Sequence, residues 1–296
     1  MKIVVTGGSG LVGKNLRKIL PNAIYLSSKD YDLTLEKDVI KMYNDLKPDY
    51  IVHLAAKVGG IIDNINNPAI YFTDNVMMNT LLVKYAYLNN VKRFMAILST
   101  CIYPDKVNNY PMTEDMLHIG PPTSTNFSYG YAKRSLAVQI DSYNQQYGTK
   151  YNYLIPCNLY GIGDKDGDNS HFVAALIKKI KDANINKNDK IILYGDGTPL
   201  RQFLYVDDFC QIIKYVIDND ITESFNVSTY ENLSIKEIAE IALESCNSKH
   251  LKIEWDNTKP NGQYRKDVNV DKMKKIIDIN ITPLKEGIKK IYNSYD

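Results

Sequence analysis

Short apolar segments alternate with amphipathic segments along the first half of this chain. The apolar segments are KIVVT, AIYLSS, DYIVHLAA, RFMAILST and YNYLIP. Segments of this length and composition predict strands that are buried on both faces. Helical patterns separate them, and this order is typical of a parallel sheet covered by helices. We therefore expect an α/β fold with a doubly wound parallel sheet.

The regular alternation fades after Gly161. A loop, GIGDKDGDNSH, precedes a helical pattern, and KIILYGDGTPLRQFLYVDDF predicts a strand, a tight turn and a second strand. We expect residues 1–162 and about 202–229 to form a nucleotide-binding domain. Residues from about 163–201 and 230–296 would then form a smaller C-terminal α/β lobe for the substrate.

The composition limits the partners of the chain. Its 36 basic and 34 acidic residues give a net charge of +2, which predicts no attraction to nucleic acid or to a membrane surface. Its four cysteines lie far apart without metal-ligand spacing, so we expect free thiols and no metal site. MKIVVTGG does not resemble a signal peptide, and no apolar run reaches the roughly 18 residues of a membrane span. These features predict a cytoplasmic protein.

A glycine-rich turn joins the first predicted strand to the first predicted helix. Gly7, Gly10 and Gly13 are spaced as GxxGxxG in TGGSGLVG. Glycine lets the backbone turn tightly and approach a pyrophosphate, whose charge then lies at the N-terminus of the helix. A tight turn without a ligand could use the same residues, but its position at the head of an alternating α/β chain favours a bound dinucleotide.

The end of the second predicted strand indicates which dinucleotide binds. An acidic residue there would bind the ribose of NAD and repel the 2′-phosphate of NADP. The strand instead ends with Ser27, Ser28 and Lys29, whose hydroxyls and ammonium suit a phosphate. Asp30 follows directly, so a shift of one residue would reverse the preference, and Asp32 could reach the adenine. We expect NADP(H).

Tyr129 and Lys133 stand four residues apart in YGYAK, on one face of a predicted helix. A neighbouring ammonium favours the phenolate and would lower the tyrosine pKa from its ordinary value near 10. Ser99 lies at the end of the fourth predicted strand, where open α/β sheets bind ligands, and can donate a hydrogen bond to a substrate carbonyl. Because YxxxK also arises by chance in a chain with 23 tyrosines, the assignment rests on the order glycine loop, serine, YxxxK.

Ser99 and Cys101 stand two residues apart in ILSTCIYP. On extended backbone their side chains point the same way, so both would face one substrate. A thiol and an imidazole, with pKa values near 8.5 and 6.5, suit base and acid at neutral pH. Of the four histidines, His171 enters a helix at the predicted lobe junction, where a capping role is the alternative. For Cys101 the alternative is buried packing.

Taken together, the motifs resemble the extended short-chain dehydrogenase/reductase family, in particular its epimerase/reductases of GDP-4-keto sugars. Between Ser99 and Lys266 the matching motifs are STCIYP, YGYAKRS, PCNLYG, NSHFVAAL, YGDGTPLRQFLYVDD and TKPNGQYRK. The resemblance implies a Rossmann domain, NADP(H), a GDP-sugar substrate and a homodimer formed through a four-helix bundle. The family's dehydratases carry an acidic pair after the serine, and this chain has Thr100 and Cys101 there.

The resemblance also assigns roles to individual residues. It implies that Ser99, Tyr129 and Lys133 are the catalytic triad of a reduction at C4 of the sugar. Cys101 and His171 would be the base and the acid that epimerise C3 and C5 of GDP-4-keto-6-deoxy-D-mannose. The implied cofactor contacts are Gly7, Gly10, Leu11, Val12, Gly13, Ser28, Lys29, Asp32, Leu98, Lys133, Pro156, Asn158, Leu159 and His171. The implied substrate contacts are Asn158, Lys179, Tyr194, Arg201 and Asn261.

From the sequence alone, Arg201 has two possible interpretations. Its planar fork suits a pyrophosphate, but a surface arginine on a hairpin would look the same.

Other functions fit the same pattern. A sibling enzyme that acts on another GDP-4-keto sugar, such as a heptose, or that reduces without epimerising, would share these motifs. A catalytically silent NADP-binding scaffold or sensor is an alternative of another class, although the presence of all five candidate catalytic residues speaks against it.

Overall fold

The computed structural model, which describes residues 1–164, 171–259 and 261–295, is built around a six-stranded parallel sheet. Its strands are β1 (Ile3–Thr6), β2 (Ile24–Leu26), β3 (Tyr50–His53), β4 (Arg93–Ile97), β5 (Asn152–Pro156) and β10 (Phe225–Val227). They lie in the order β2-β1-β3-β4-β5-β10, and every neighbouring pair is parallel. The structure confirms the predicted α/β class.

Helices cover both faces of this sheet. They are α1 (Leu11–Ile19), α2 (Glu36–Leu46), α4 (Pro68–Leu88), α5 (Phe127–Tyr147), α7 (Val206–Asp218) and α9 (Asp271–Ile276). The short helix α3 (Ile61–Asn66) precedes α4. Successive strand residues enter opposite cores, so that Val4 packs in one apolar cluster and Val5 in the other. This double burial explains why the strands read as nearly continuous apolar runs.

The strand order places a crevice beside β1. The chain runs from β1 to β2 on one side and returns to β3 on the other. Open α/β sheets bind ligands at such a reversal, outside the carboxyl ends of the strands. The glycine-rich turn after β1 therefore lies at the edge where a dinucleotide is expected.

A third apolar cluster lies in the C-terminal part of the chain, among α6 (Phe172–Ile185), α8 (Ile235–Ser245) and α10 (Leu284–Asn293). Three two-stranded pairings accompany it: β7 (Lys190–Tyr194) with β12 (Lys252–Asp256), β8 (Leu200–Arg201) with β11 (Leu233–Ser234), and β6 (Asn158–Tyr160) with β9 (Phe203–Tyr205). The domain boundaries stated above stay a prediction.

The strand, turn and strand predicted within KIILYGDGTPLRQFLYVDDF do not form a hairpin. Each strand pairs with a distant segment, and the turn between them passes through Gly195 and Gly197 at positive φ. Arg201 is therefore not a surface residue on a hairpin.

Residues 165–170 of the predicted loop GIGDKDGDNSH lie outside the described ranges. Among the helices within them, none has both the length and the apolar character that a membrane crossing requires.

Candidate active site

The glycine-rich turn is packed too tightly to accept side chains at two of its glycines. A Cβ on Gly7, which has φ +73°, would lie 2.7 Å from the Ala55 nitrogen, and a Cβ on Gly13 would lie 2.6 Å from the Gly8 Cα. Gly10 is the N-cap of α1 and has no side chain to satisfy the amides of the first helical turn, which begins with Leu11 and Val12. These features fit a pyrophosphate at the helix N-terminus.

In the turn after β2, the Asp30 carboxylate forms hydrogen bonds within the turn itself. Asp30 Oδ2 accepts hydrogen bonds from the Ser27 nitrogen at 2.7 Å and from Ser27 Oγ at 2.8 Å, and these bonds lower the pKa of Asp30. Ser28 and Lys29 are exposed. The carboxylate that put the coenzyme preference in question is therefore bonded to its own turn, while a hydroxyl and an ammonium face solvent.

Asp32 is bonded locally as well. Its Oδ1 accepts hydrogen bonds from the Thr34 nitrogen at 3.0 Å and from Thr34 Oγ1 at 2.7 Å. Its predicted contact with the adenine stays a prediction.

The chain turns sharply where β4 ends. Strand β4 stops at Ile97, and residues Thr100–Ile102 form a 3₁₀ helix that begins at Ser99. Ser99 Oγ accepts a hydrogen bond from the Cys101 nitrogen at 3.2 Å. The expectation of extended backbone between Ser99 and Cys101 is thus wrong, because the serine caps a helical turn. The Ser99 hydroxyl nevertheless stays beside Cys101, through its bond to the backbone nitrogen of that residue.

Polar groups from two distant segments surround the Cys101 sulfur. Asn126 Nδ2 lies 3.0 Å from Sγ, and Lys266 Nζ lies 3.8 Å from it. Burial alone would raise the pKa of Cys101, but the Lys266 ammonium, hydrogen bonds from Ser99 and Asn126, and the charge of Arg201 lower it below its ordinary value. These surroundings favour the thiolate form of Cys101.

Tyr129 and Lys133 lie side by side on α5, both buried. Lys133 Nζ donates a hydrogen bond to the Ile97 oxygen at 2.9 Å, which fixes α5 against the end of β4. Burial lowers the pKa of Lys133 to about 8. For Tyr129, burial raises the pKa above its ordinary value, and the charges of Cys101 and Tyr71 raise it further. The expected lowering by Lys133 is wrong for this structure, because desolvation dominates.

The histidines separate into structural and candidate catalytic residues. His53 is fully buried and bonded through both ring nitrogens, to Thr6 Oγ1 at 2.8 Å and to Asn79 Oδ1 at 2.9 Å. Burial lowers its pKa to about 3, so it stays neutral. His171 is exposed before α6, and its Nδ1 lies 2.8 Å from Asp164 Oδ1. Its side chain forms no cap on α6, which removes that alternative.

Four further predicted cofactor residues lie at the carboxyl ends of β4 and β5. Leu98 follows β4 directly, and its nitrogen bonds the Leu154 oxygen at 2.9 Å. Pro156 is the last residue of β5, and Asn158 and Leu159 begin β6. Their positions follow the edge at which open α/β sheets bind ligands.

Three of the predicted substrate residues converge at the end of β7. The Tyr194 ring is exposed, and Lys179 Nζ lies 5.0 Å from its centroid. Asn261 Oδ1 accepts a hydrogen bond from the Asp196 nitrogen at 2.9 Å, two residues beyond Tyr194. An exposed aromatic face beside a cation and an amide is suited to a nucleotide base.

Arg201 acts electrostatically on the cysteine and also lies beside Gly262, the neighbour of Asn261. Its guanidinium is held by the Leu200 oxygen at 2.7 Å, and burial lowers its pKa to about 10. Its charge reaches both Cys101 and Lys266. It therefore stands between the candidate nucleotide site and the candidate reaction site.

Sequence reasoning missed Asn126 and Lys266. Both residues belong to segments whose motifs were recognised, the start of the helix that carries YGYAK and the end of TKPNGQYRK. The signal available was the motif itself, but only the three-dimensional contact shows that these side chains meet Cys101.

Known proteins resemble the chain over nearly its whole length. The model of the NAD dependent epimerase/dehydratase family matches residues 3–228. The GDP-L-fucose synthase of Dictyostelium discoideum is 35% identical, over 97% of this chain and 93% of its own. The GDP-L-colitose synthase of Yersinia pseudotuberculosis is 34% identical, over 98% of this chain and 96% of its own.

A solved structure shares the fold. A GDP-L-fucose synthetase from Naegleria fowleri bound to NADP has a TM-score of 0.87 and 30% identity, and the match covers 99% of this chain and 93% of that one. The resemblance inferred from the motifs is thereby confirmed, and this chain belongs to the NAD dependent epimerase/dehydratase family, among the relatives of the GDP-L-fucose synthases.

Proposed function

We propose that this chain converts GDP-4-keto-6-deoxy-D-mannose to GDP-L-fucose, by epimerisation at C3 and C5 and NADPH-dependent reduction at C4. The observation that carries the proposal is the juxtaposition of an activated thiol, Cys101, with the tyrosine and lysine of a reductase, Tyr129 and Lys133. A Cβ on Gly130 would lie 2.8 Å from the Cys101 oxygen, so the helix carrying the tyrosine packs directly on the turn carrying the thiol.

The reduction uses the groups at the end of β4. Bound NADPH supplies the hydride that adds to C4. Ser99 orients the C4 oxygen by a hydrogen bond, and Tyr129 gives that oxygen its proton. The raised pKa keeps Tyr129 protonated at neutral pH, as a proton donor must be. Lys133 holds the coenzyme ribose and is itself held by the Ile97 oxygen.

The epimerisation uses the acidity of carbons beside a ketone. The Cys101 thiolate removes the proton from C3 or C5, and the Ser99 hydroxyl stabilises the charge that develops on the C4 oxygen. His171, oriented by Asp164, returns a proton to the opposite face.

The nucleotide would lie along the C-terminal part of the site. Tyr194 stacks on the guanine, while Lys179 and Asn261 contact the nucleoside half. Arg201 holds the pyrophosphate through its planar fork, and Asn158 contacts both the coenzyme and the sugar. Asn158 is fixed for this by a hydrogen bond from its Nδ2 to the Gln202 oxygen at 2.8 Å.

A sibling activity on another GDP-4-keto sugar is the second candidate. The relative named GDP-L-colitose synthase is 34% identical to this chain, nearly the same as the 35% of the GDP-L-fucose synthase. Overall identity therefore does not separate the sugars, and product analysis must. A silent NADP-binding scaffold is disfavoured, because it would have no use for a thiol with a lowered pKa.

We also propose that the enzyme works in a reducing cytoplasm as a homodimer. The four cysteines are free in the structure, and the proposed reaction requires a reduced Cys101. Helices α4 and α5 pack on each other and carry apolar side chains on their exposed sides, including Ile70, Met77 and Val138. Pairing these helices across a two-fold axis would bury those side chains in a four-helix bundle.

Cys101→Ser should separate the two chemistries. A hydroxyl is too weakly acidic to remove a carbon-bound proton, so deuterium uptake from D₂O at C3 and C5 should slow by about a hundredfold or more. A substrate that is already epimerised should still be reduced. Tyr129→Phe should do the reverse, leaving exchange intact while NADPH oxidation falls by a similar factor. Proton NMR and absorbance at 340 nm report the two steps.

The control for this pair is Cys246→Ser, which changes a buried thiol in the third apolar cluster. Both reactions should persist in it. Wild-type deuterium uptake in Cys101→Ser would show that the thiol is only packed and that the carbon base is another group.

The turn after β2 predicts a preference for NADPH over NADH in kcat/KM. Lys29→Asp replaces the ammonium facing the 2′-phosphate with a carboxylate. It should lower the preference by about tenfold or more, since about 1.4 kcal/mol is a factor of ten. Lys37→Asp, which changes an exposed lysine on α2, is the matched control. Equal use of both coenzymes by the wild type would refute the phosphate-pocket interpretation.

The exposed apolar side chains of α4 and α5 predict a dimer in light scattering at micromolar concentration. Met77→Lys combined with Val138→Lys should produce a monomer, because two charges would be buried at the helix pairing. Ile185→Lys changes an exposed isoleucine at the end of α6 and should leave the dimer intact. A monomeric wild type would contradict the pairing.

A further inference from the structure

Lys266 is the group nearest to the Cys101 sulfur from the C-terminal part of the chain. The two residues are 165 positions apart in sequence, yet Nζ and Sγ lie 3.8 Å apart. Asn126 Nδ2 approaches the same sulfur at 3.0 Å from the segment before α5. A lysine and an amide that both donate toward one sulfur are the surroundings that a thiolate requires.

We propose that Lys266 is a positioning residue that holds Cys101 as a thiolate, through an ion pair supported by the Asn126 amide. The catalytic consequence of this pair rests on the function proposed above, whereas the pair itself does not. The segment that carries Lys266 would then complete the base of the epimerisation.

The backbone on the C-terminal side of Lys266 is clamped by one buried side chain. Gln202 Oε1 accepts a hydrogen bond from the Val268 nitrogen at 2.9 Å, and Gln202 Nε2 donates to the Val268 oxygen at 3.2 Å. The same Nε2 donates to the Thr229 oxygen at 2.7 Å. A side-chain amide that satisfies both backbone groups of Val268 fixes the segment two residues after the lysine.

The N-terminal side of Lys266 is tied to the loop that follows Cys101. Gln263 Nε2 donates to the Asp105 oxygen at 3.0 Å and to the Pro104 oxygen at 3.3 Å. The segment of Lys266 is thus anchored on one side by Gln202 and on the other side to the loop that follows Cys101. Because the backbone is held on both sides of Lys266, less conformational entropy is lost when the ion pair with Cys101 forms.

The counter-charge of Lys266 is the sulfur and not a carboxylate. The neighbouring Asp267 carboxylate is bonded to Arg265, at 2.6 Å and 3.0 Å. Among the salt bridges that join the described residues, none involves Lys266. Desolvation lowers the pKa of Lys266 and the charge of Arg201 lowers it further, whereas the charge of Cys101 raises it. A desolvated ammonium without an anion is costly, so the thiolate stabilises the charged form of this lysine.

The two charged groups that lower the pKa of Cys101 are both cations. Lys266 and Arg201 are cationic, and Tyr129 is neutral because its pKa is raised. Cys157, which also faces Lys266, has its pKa raised to about 11 and stays a neutral thiol. Cys101 is therefore the anion that these cations share, and burial alone would have disfavoured it.

The ion pair with Lys266 explains how Cys101 can be a base at neutral pH. A free thiol is only a few per cent thiolate at pH 7. An opposite charge within about 4–6 Å lowers an acidic pKa by about one to three units, which turns a minor form into a major one. Because the pKa of Cys101 is lowered, the thiolate should persist to lower pH and be lost only below that pKa.

The test is the pH dependence of Cys101 alkylation by iodoacetamide, followed by mass spectrometry of the peptide that contains it. This readout requires neither substrate nor coenzyme. The other three cysteines are buried and their pKa values are raised, so they should react slowly. The wild-type midpoint should lie below 8.5, the ordinary value for a cysteine.

Lys266→Met keeps the length of the side chain but removes its charge, and should raise the alkylation midpoint by about one to three pH units. Lys266→Arg should keep most of the wild-type shift, because it retains the cation. Lys275→Met removes the same charge from an exposed position on α9 and should leave the midpoint unchanged. Deuterium exchange at C3 and C5 should shift to higher pH in Lys266→Met in parallel with alkylation.

The outcomes separate this proposal from the proposed function. A wild-type midpoint at or above 8.5, or an unchanged midpoint in Lys266→Met, overturns the ion pair whatever reaction the enzyme performs. If Lys266→Met raises the alkylation midpoint but the wild type exchanges no protons of the keto sugar, the ion pair is supported and the epimerase function is refuted. Should Lys266→Met not fold, the wild-type and Lys266→Arg midpoints still decide.

Discussion

The site depends on the contact between α5 and the end of β4. Lys133 donates to the Ile97 oxygen, and Arg134 Nε donates to the Ile102 oxygen at 2.8 Å, so one helical turn holds both ends of the segment that carries Ser99 and Cys101. Between them, the absence of a side chain at Gly130 lets the helix approach the Cys101 oxygen. The tyrosine is fixed by the same turn, so its distance from the thiol is set by backbone packing.

That arrangement gives neighbouring groups opposite acid–base properties. Burial makes Tyr129 a weaker acid, while Lys266 and Arg201 make Cys101 a stronger one despite its burial. A reaction that must first remove a carbon-bound proton and then protonate an oxygen needs such a difference. Lys266 and Arg201 lower the pKa of Cys101, whereas burial is the main cause of the raised pKa of Tyr129.

The sequence predicted the sheet, the glycine turn and the helix of Tyr129 because each is a local pattern. Apolar strands, a glycine spacing and an i, i+4 pair are readable without knowing what lies beside them. The 3₁₀ turn at Thr100 was missed because Ser99 caps it, a local competition between side chain and strand. Lys266 and the direction of the Tyr129 pKa shift could not be predicted, because both depend on contacts between segments far apart in sequence.

The claim that one site performs both epimerisation and reduction is tested most directly by a proton NMR spectrum. The sample is the product formed from GDP-4-keto-6-deoxy-D-mannose and NADPH in D₂O. Two solvent exchanges and one hydride transfer in a single site predict GDP-L-fucose with deuterium at C3 and C5 and protium at C4. A C4-reduced product that keeps protium and the original configuration at both C3 and C5 would contradict the account, because Cys101 would then have removed no proton.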